Sequence, residues 1–473
     1  MAQLLTLPKI NSLLANFEKT YADLCHRIEL PHKTYENRTS YALHMGLPND
    51  RANRASLILG GVHAREWGGP DIVVAFAGDL LRAYTDGKGL QYNQQTFSAE
   101  DIKRIFEEST IVIFPCVNPD GFEYSRTKST FWRKNRNPDS SGGDPKKVGV
   151  DINRNYDFLW DYKKHFHKTA WVSSLASDDE SVETFHGTEP FSEPETRNVK
   201  WLMDAYPGLR WFMDVHSFAG DVLFSWGDDS NQSQQVSMSF TNPAYDGLRG
   251  HTRPFLPGNQ PVPDGLIWSE HPDEYGEYVT RGDGAILRGS AEIIRDAMNA
   301  VWGRPYIAKQ SIGLYPTSGA SDDYAFSRHV TGDAEKTYAF TIEFNFGDPH
   351  NRDNFIATRD PDVLDKTLKE VVPGLIAFAR LATKPPTVTH TPVAPHGDIS
   401  YVNVFTGDSW SIGPGGIIHH PSVPDPYVTD LGREIGRLLG AHETLSRTPG
   451  KAGEVARAAI LEGIAKLAQG KNS

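Results

Sequence analysis

Short apolar, β-branched runs alternate along this chain with stretches in which apolar residues recur every three to four positions. That alternation predicts an α/β sheet whose strands are joined through helices. Ser56–Val62 (SLILGGV), Thr110–Val117, Arg210–Val215 and Tyr338–Phe344 read as strands. Pro70 opens a helical pattern in GPDIVVAFAGDLLRAYTDG, because proline suits the first helical position. Ser192-Glu193-Pro194-Glu195 predicts a cap with a glutamate three residues on, ahead of a helix through about Ala205. The N-terminal MAQLLTLPKINSLLANFEKTYADL predicts an amphipathic helix, and His26-Arg27-Ile28-Glu29 lies in a further helical run.

Three stretches read as additions to a compact core. Asp157–Phe191 holds a polar loop around Ser173–Glu183, and Asp228–Asp283 is rich in Gly, Pro, Asp and Asn and too long for an ordinary connection. From Lys384 the composition shifts through KPPTVTHTPVAPHGD, a linker pattern, to two helical segments near Tyr427–Leu445 and Ala452–Leu467. The expected organisation is one large domain over residues 1–383, with insertions near 157–191 and 228–283. A linker and a mainly helical extension follow over residues 384–473.

Composition narrows the function. The 473 residues carry 48 Lys and Arg against 60 Asp and Glu, a formal charge of −12, which argues against a general nucleic-acid binder. Cys25 and Cys116 are too few for a disulfide framework or a thiolate metal site. No run approaches 18 apolar residues and the N-terminus lacks the marks of a secretory leader, so the expectation is no membrane span and a cytoplasmic enzyme.

His-x-x-Glu occurs four times, at His26/Glu29, His63/Glu66, His186/Glu189 and His271/Glu274. Only His63/Glu66 directly follows a hydrophobic strand, in LILGGVHAREWGGPD, and ligand sites in open α/β sheets gather beyond the carboxyl ends of strands. A second strand, Trp211–Val215, also ends on a histidine, His216. His, Glu and His make three protein ligands and leave a position for water, as a catalytic zinc needs. Glu343 sits inside the apolar strand Tyr338–Phe344, where an ionised carboxylate needs a partner or a task; beside a metal that task is general base. Arg133 in Trp132-Arg133-Lys134-Asn135-Arg136, and Asp151, Asn153 and Arg154 in GVDINRNY, read as surface charge or as forks and amides suited to a carboxylate and an oxyanion.

Together these segments resemble the zinc carboxypeptidases of the pancreatic A/B type, from about Leu7 to Ala382. GVHAREW, NPDGFEYSR, WRKNR, GVDINRNYD, FHGTEPFSEPET, DVHSF, YPTSGASDDY and TIEF occur in the family's order. The resemblance implies a mixed central sheet flanked by helices, with one zinc per chain held by His63, Glu66 and His216. It implies Glu343 as general base and Arg133 as the group that stabilises the oxyanion. Asn153, Arg154 and Tyr315 would hold the substrate's C-terminal carboxylate, Arg65 would contact substrate further from the cut bond, and Asp151 would orient the first zinc histidine. The implied activity is release of one residue from a peptide or protein C-terminus.

Asp322 occupies the position at the pocket base that is Asp in relatives removing Lys or Arg, which implies a basic preference; Gly227 reads as leaving room on the opposite wall. Alternatively Asp322 points into a hydrogen-bond network, and the pocket takes broad or apolar ends, or diaminopimelate ends of cell-wall peptides. The presence of all three ligands and of Glu343 argues against a silent binding module. The full carboxylate-binding set argues against a small-molecule amidohydrolase, and Asp322 with Asp323 against a deglutamylase. No propeptide precedes the family-like part, so activation by cleavage is not expected, and residues 228–283 are expected at the active-site rim.

Overall fold

The computed structural model describes residues 3–47, 54–250, 275–332, 334–347 and 351–383. It also describes the backbone of the short strands 255–256, 260–261, 399–402, 409–412 and 418–419. The chain divides into two units, residues 1–383 and 384–473.

In the first unit the amphipathic start forms helix α1 (Leu7–Thr20), capped by the Thr6 side chain and buried along Ile10 and Leu14. The next residues differ from expectation. His26 and Glu29 lie in strand β1 (Cys25–Glu29), which pairs antiparallel with β2 (Tyr41–Met45). His26 sits opposite His44 with the rings stacked 4.5 Å apart, a cross-strand contact invisible to local helical periodicity.

The central sheet adds β3 (Ala55–Gly60), β4 (Thr110–Phe114), β5 (Leu209–Ser217), β6 (Asp221–Phe224), β7 (Ile307–Gln310) and β8 (Tyr338–Phe344). Its order is β1-β2-β4-β3-β5-β8-β6-β7. The middle strands β4, β3, β5 and β8 run parallel; β2 joins β4, and β6 joins β8, antiparallel. Every residue of β3 and β4 is buried, as strands covered on both faces require.

Helices α2 (Gly69–Asp86), α3 (Ala99–Glu108), α4 (Pro119–Thr127), α5 (Pro194–Ala205), α6 (Arg281–Trp302), α7 (Ser321–Thr331) and α8 (Pro361–Leu381) flank the sheet. From β3 the chain leads to β4 on one side, and β5 then takes the place on β3's other side. A crevice therefore opens beyond the carboxyl ends of β3 and β5, the switch point where such sheets place ligands.

The cap expected at Ser192 is absent. Glu193 is the N-cap of α5 and makes no side-chain cap bond, while Ser192 Oγ donates to Glu193 Oε1 at 2.7 Å. In residues 157–191, His186 stacks on Trp160 at 4.1 Å and its Nε2 lies 2.8 Å from Asp178. In residues 228–283, Asn231–Gln232 pairs parallel with Glu277–Tyr278, and buried Arg249 donates to Tyr275 Oη. His271/Glu274 lies outside the described residues.

In the second unit, residues 399–402, 409–412 and 418–419 form an antiparallel three-stranded sheet. The helical segments expected at 427–445 and 452–467 lie outside the described residues. Among the described residues no helix is long and apolar enough to cross a membrane.

Candidate metal centre and catalytic cleft

After β3 the backbone turns at Gly61, with φ +63°, and delivers His63 and Glu66 to the crevice; β5 delivers His216 from its carboxyl end. The three side chains are 5 %, 5 % and 1 % exposed, and one ligand atom from each lies within 4.8 Å of the others. The Nδ1 atoms of His63 and His216 face each other at 3.0 Å. Glu66 Oε1 lies 2.7 Å from the first and Oε2 3.0 Å from the second. Each imidazole turns its far nitrogen to a buried carboxylate. His63 Nε2 is 3.1 Å from Asp151 Oδ1, and His216 Nε2 is 2.9 Å from Asp214 Oδ2.

That pattern tests the fit of a metal. Each Nε2 lies beside a buried carboxylate, and both Nδ1 atoms face one spot flanked by the Glu66 carboxylate. Two imidazole nitrogens and a carboxylate converging on one buried point, with further carboxylates behind both rings, are a donor set that suits zinc. Burial alone would raise Glu66, but His63 and His216 hold it below the usual carboxylate range. His216 is held well above its usual value by Asp214 and Glu66 against the cost of its burial.

Asp214 is a partner that the sequence reading missed. Its signal was present: in a strand, Asp-x-His places both side chains on one face. The same Asp214 Oδ2 accepts from Ser321 Oγ at 2.6 Å, so one carboxylate oxygen ties His216 to the first turn of α7.

Asp151 has an equivalent role on the other side. Its Oδ2 takes the Arg133 guanidinium at 2.9 Å through both Nε and Nη2, while Oδ1 faces His63 and accepts from the Asn153 N–H at 3.0 Å. Burial would raise Asp151, but Arg133, His63 and Arg154 hold it well below the usual range. Arg133 Nη1 lies 3.9 Å from Glu66 Oε1, so its guanidinium stands beside the metal position. Replacing Asp151 by Asn therefore loosens both groups. We expect metal retention in a chelator titration to weaken about 10–100-fold; unchanged retention would count against this role.

Glu343 lies in β8 in register with His216 and with Asp221 of β6, its side chain partly exposed. Burial, reinforced by the Glu66 carboxylate, pushes it up to about 8. Arg154 is buried, its guanidinium donating to the carbonyls of Asn153 and Ser174 and standing 5.9 Å from the Tyr315 ring. Asn153 Oδ1 accepts from the Ser321 N–H at 2.8 Å. Arg65 is engaged by Glu183 at 2.8 Å and lies 4.3 Å from the Phe355 ring, at the edge of the cleft.

The loop before α7 is held close to residues 154–158. Gly319, with φ +66°, puts the position of a would-be Cβ 2.3 Å from the Arg154 carbonyl oxygen. Asp322 is buried and accepts from Ser311 Oγ at 3.2 Å, Thr341 Oγ1 at 3.3 Å and the Asp323 N–H at 3.0 Å. The space beside Gly227 is not open: a Cβ there would meet Thr317 Oγ1 at 2.4 Å and Asp323 Oδ2 at 2.8 Å. That glycine serves close backbone approach, correcting the expectation of a roomy wall.

The zinc carboxypeptidase family model matches residues 10–370. A carboxypeptidase B of Astacus astacus is 26 % identical over 338 residues, 71 % of this chain and 84 % of that protein. A carboxypeptidase O of Bos taurus is 29 % identical over 201 residues, 42 % of this chain, so the match spans about half (47 %) of that relative. Bovine thrombin-activatable fibrinolysis inhibitor, solved with a tick carboxypeptidase inhibitor, superposes with a TM-score of 0.55 at 21 % identity, over 80 % of this chain and 97 % of that one.

Proposed function

The chain belongs to the zinc carboxypeptidase family, and we propose that it releases single residues from peptide C-termini, with a preference for Lys or Arg. The observation that carries this reading is the convergence of His63, Glu66 and His216, with Asp151 bridging His63 to Arg133. One zinc is the family's cofactor, and these three side chains would hold it. When bound, zinc supplies a Lewis acid that makes water acidic enough to attack at neutral pH.

The remaining work falls to the chain's own groups. Arg154, Asn153 and Tyr315 receive the substrate's terminal carboxylate, which makes an internal bond a poor substrate. The ionised form of Glu343 would be favoured by a bound cation beside it, and that carboxylate takes a proton from the attacking water and returns it to the leaving nitrogen. Arg133, oriented by Asp151, faces the developing oxyanion.

The basic preference rests on charge. Asp322 and Asp323 are buried, and among the described residues no Lys or Arg forms an ion pair with either. Burial raises both, and a cationic side chain entering the pocket would relieve that cost. The internal hydrogen bonds of Asp322 favour a second reading, a pocket of broad or apolar specificity. Blocked dipeptides ending in Lys, Arg, Phe, Leu, Glu and diaminopimelate separate the two. We expect kcat/KM to be highest for Lys or Arg and lowest for Glu, and Phe above Arg would reject the basic preference.

A further inference from the structure

Arg133 stands on a segment whose backbone is held at each step. Its carbonyl accepts from the Ala64 N–H at 3.0 Å, beside the metal histidine, and the Lys134 carbonyl accepts from Asn118 Nδ2 at 3.1 Å. Asn135 is wholly buried and is the hub. Its backbone N–H donates to the Val150 carbonyl at 3.0 Å. Its side-chain Oδ1 accepts from the N–H groups of Val150 at 2.8 Å and Asn137 at 3.2 Å. Those two donors settle which end of the amide is oxygen. Val150 precedes Asp151, so this one residue registers Arg133 against the carboxylate it pairs with.

The Nδ2 of Asn135 meets two acidic side chains that the mechanism above does not use. It donates to Glu193 Oε2 at 2.6 Å and to Glu195 Oε2 at 3.0 Å. Glu193 gathers further donors, from Asn137 Nδ2 at 3.0 and 3.1 Å and from Ser192 Oγ at 2.7 Å. Both glutamates are 0 % exposed, and among the described residues neither forms an ion pair with a Lys or Arg. Two buried carboxyls at the start of one helix are expensive for structure alone.

We propose that Glu193 and Glu195 are positioning residues for Arg133: by gripping Asn135 and Asn137 they set the distance of the guanidinium from the reacting carbonyl. The proposal rests on the reading of Arg133 as the oxyanion group. The grip depends on charge. The groups acting on the pair are Tyr35, Asp120 and Arg197. Asp120 is itself occupied by Thr34, the Glu36 N–H and Arg38. Burial, then the neighbouring Glu193, pushes Glu195 up to about 8, and burial also raises Glu193. That shift favours the protonated form of Glu195 near neutrality. As pH rises through about 8, a charge forms on Glu195 beside Glu193, with Glu195 Oε1 unpartnered among the described residues, and loosens the grip on Asn135.

The test uses the zinc-loaded enzyme and a blocked dipeptide. Glu193→Gln keeps the shape but turns an amide N–H2 towards donors that need an acceptor. It should lower kcat about 10- to 100-fold with KM little changed and zinc content full, as a displaced catalytic group does. The same substitution in an Arg133→Ala background should change kcat little, because a residue acting through Arg133 has nothing left to position. Glu195→Gln imitates the protonated form and should move the alkaline fall of kcat to higher pH than in wild type. That arm decides the question even where Glu193→Gln does not fold. A Glu193→Gln enzyme with a lower Tm and wild-type kcat overturns the proposal, as does a full additional loss in the Arg133→Ala background or an unmoved alkaline limb in Glu195→Gln. Wild-type kcat in Arg133→Ala alone overturns the underlying reading as well. An inactive Arg133→Ala beside an unaffected Glu193→Gln overturns only the positioning role.

Discussion

Glu343→Gln should produce a folded, zinc-loaded protein whose kcat is lower by about 10²–10⁴-fold, the contribution of a positioned general base. The amide preserves size and the β8 register beside His216 but accepts no proton. The three proposed ligand side chains are untouched, so one zinc per chain should remain by metal analysis, and a fully active variant would reject Glu343 as the base. A stability readout accompanies the kinetic one. In the metal-free protein burial raises Glu343 from 4.5 to about 8. Between those values the folded state keeps a proton that the unfolded state has lost, so this group makes stability fall as pH rises through the window. The glutamine variant lacks that slope. Its metal-free Tm should therefore exceed that of wild type near pH 8 and converge with it at pH 4, below both values.

Thorough chelation should abolish turnover, by at least about 10³-fold, because a Lewis acid contributes several kcal/mol to the barrier. Zinc added back should restore it. The collapse follows from the site's chemistry: Glu66, His63 and His216 converge on one point, where zinc would supply the Lewis acid that activates water. Activity that survives metal removal, verified by metal analysis, would reject the zinc mechanism outright.

His63, His216 and Glu343 were legible in the sequence for one physical reason: each lies at or just beyond the end of a strongly patterned strand. Apolar β-branched runs predict β3, β4, β5 and β8, and His63, His216 and Glu343 fall at their carboxyl ends. The order of those strands was not legible, since buried parallel strands read alike and register carries no local mark. His26–Glu29 was misplaced because four residues fit a helix as well as a strand, and the partner that decides, His44, is eighteen positions away. Ser192 and Glu195 have the spacing of a capping box, yet Asn135 and Asn137 compete for that end of the helix and win. Gly227 shows the same limit: a missing side chain signals either room or contact, and only the neighbours Thr317 and Asp323 decide which.

The oxygen that Ser321 and His216 share on Asp214 has a thermodynamic consequence. A ligand that seats on the pocket loop and firms the Ser321 bond also firms the orientation of His216, one of the proposed zinc ligands. Coupling of this kind is reciprocal: whatever factor the occupied pocket adds to zinc affinity, zinc adds to the affinity of the pocket. An inhibitor that fills the pocket would then slow the escape of the metal, and the metal-free enzyme would hold that inhibitor less tightly even where the two never touch.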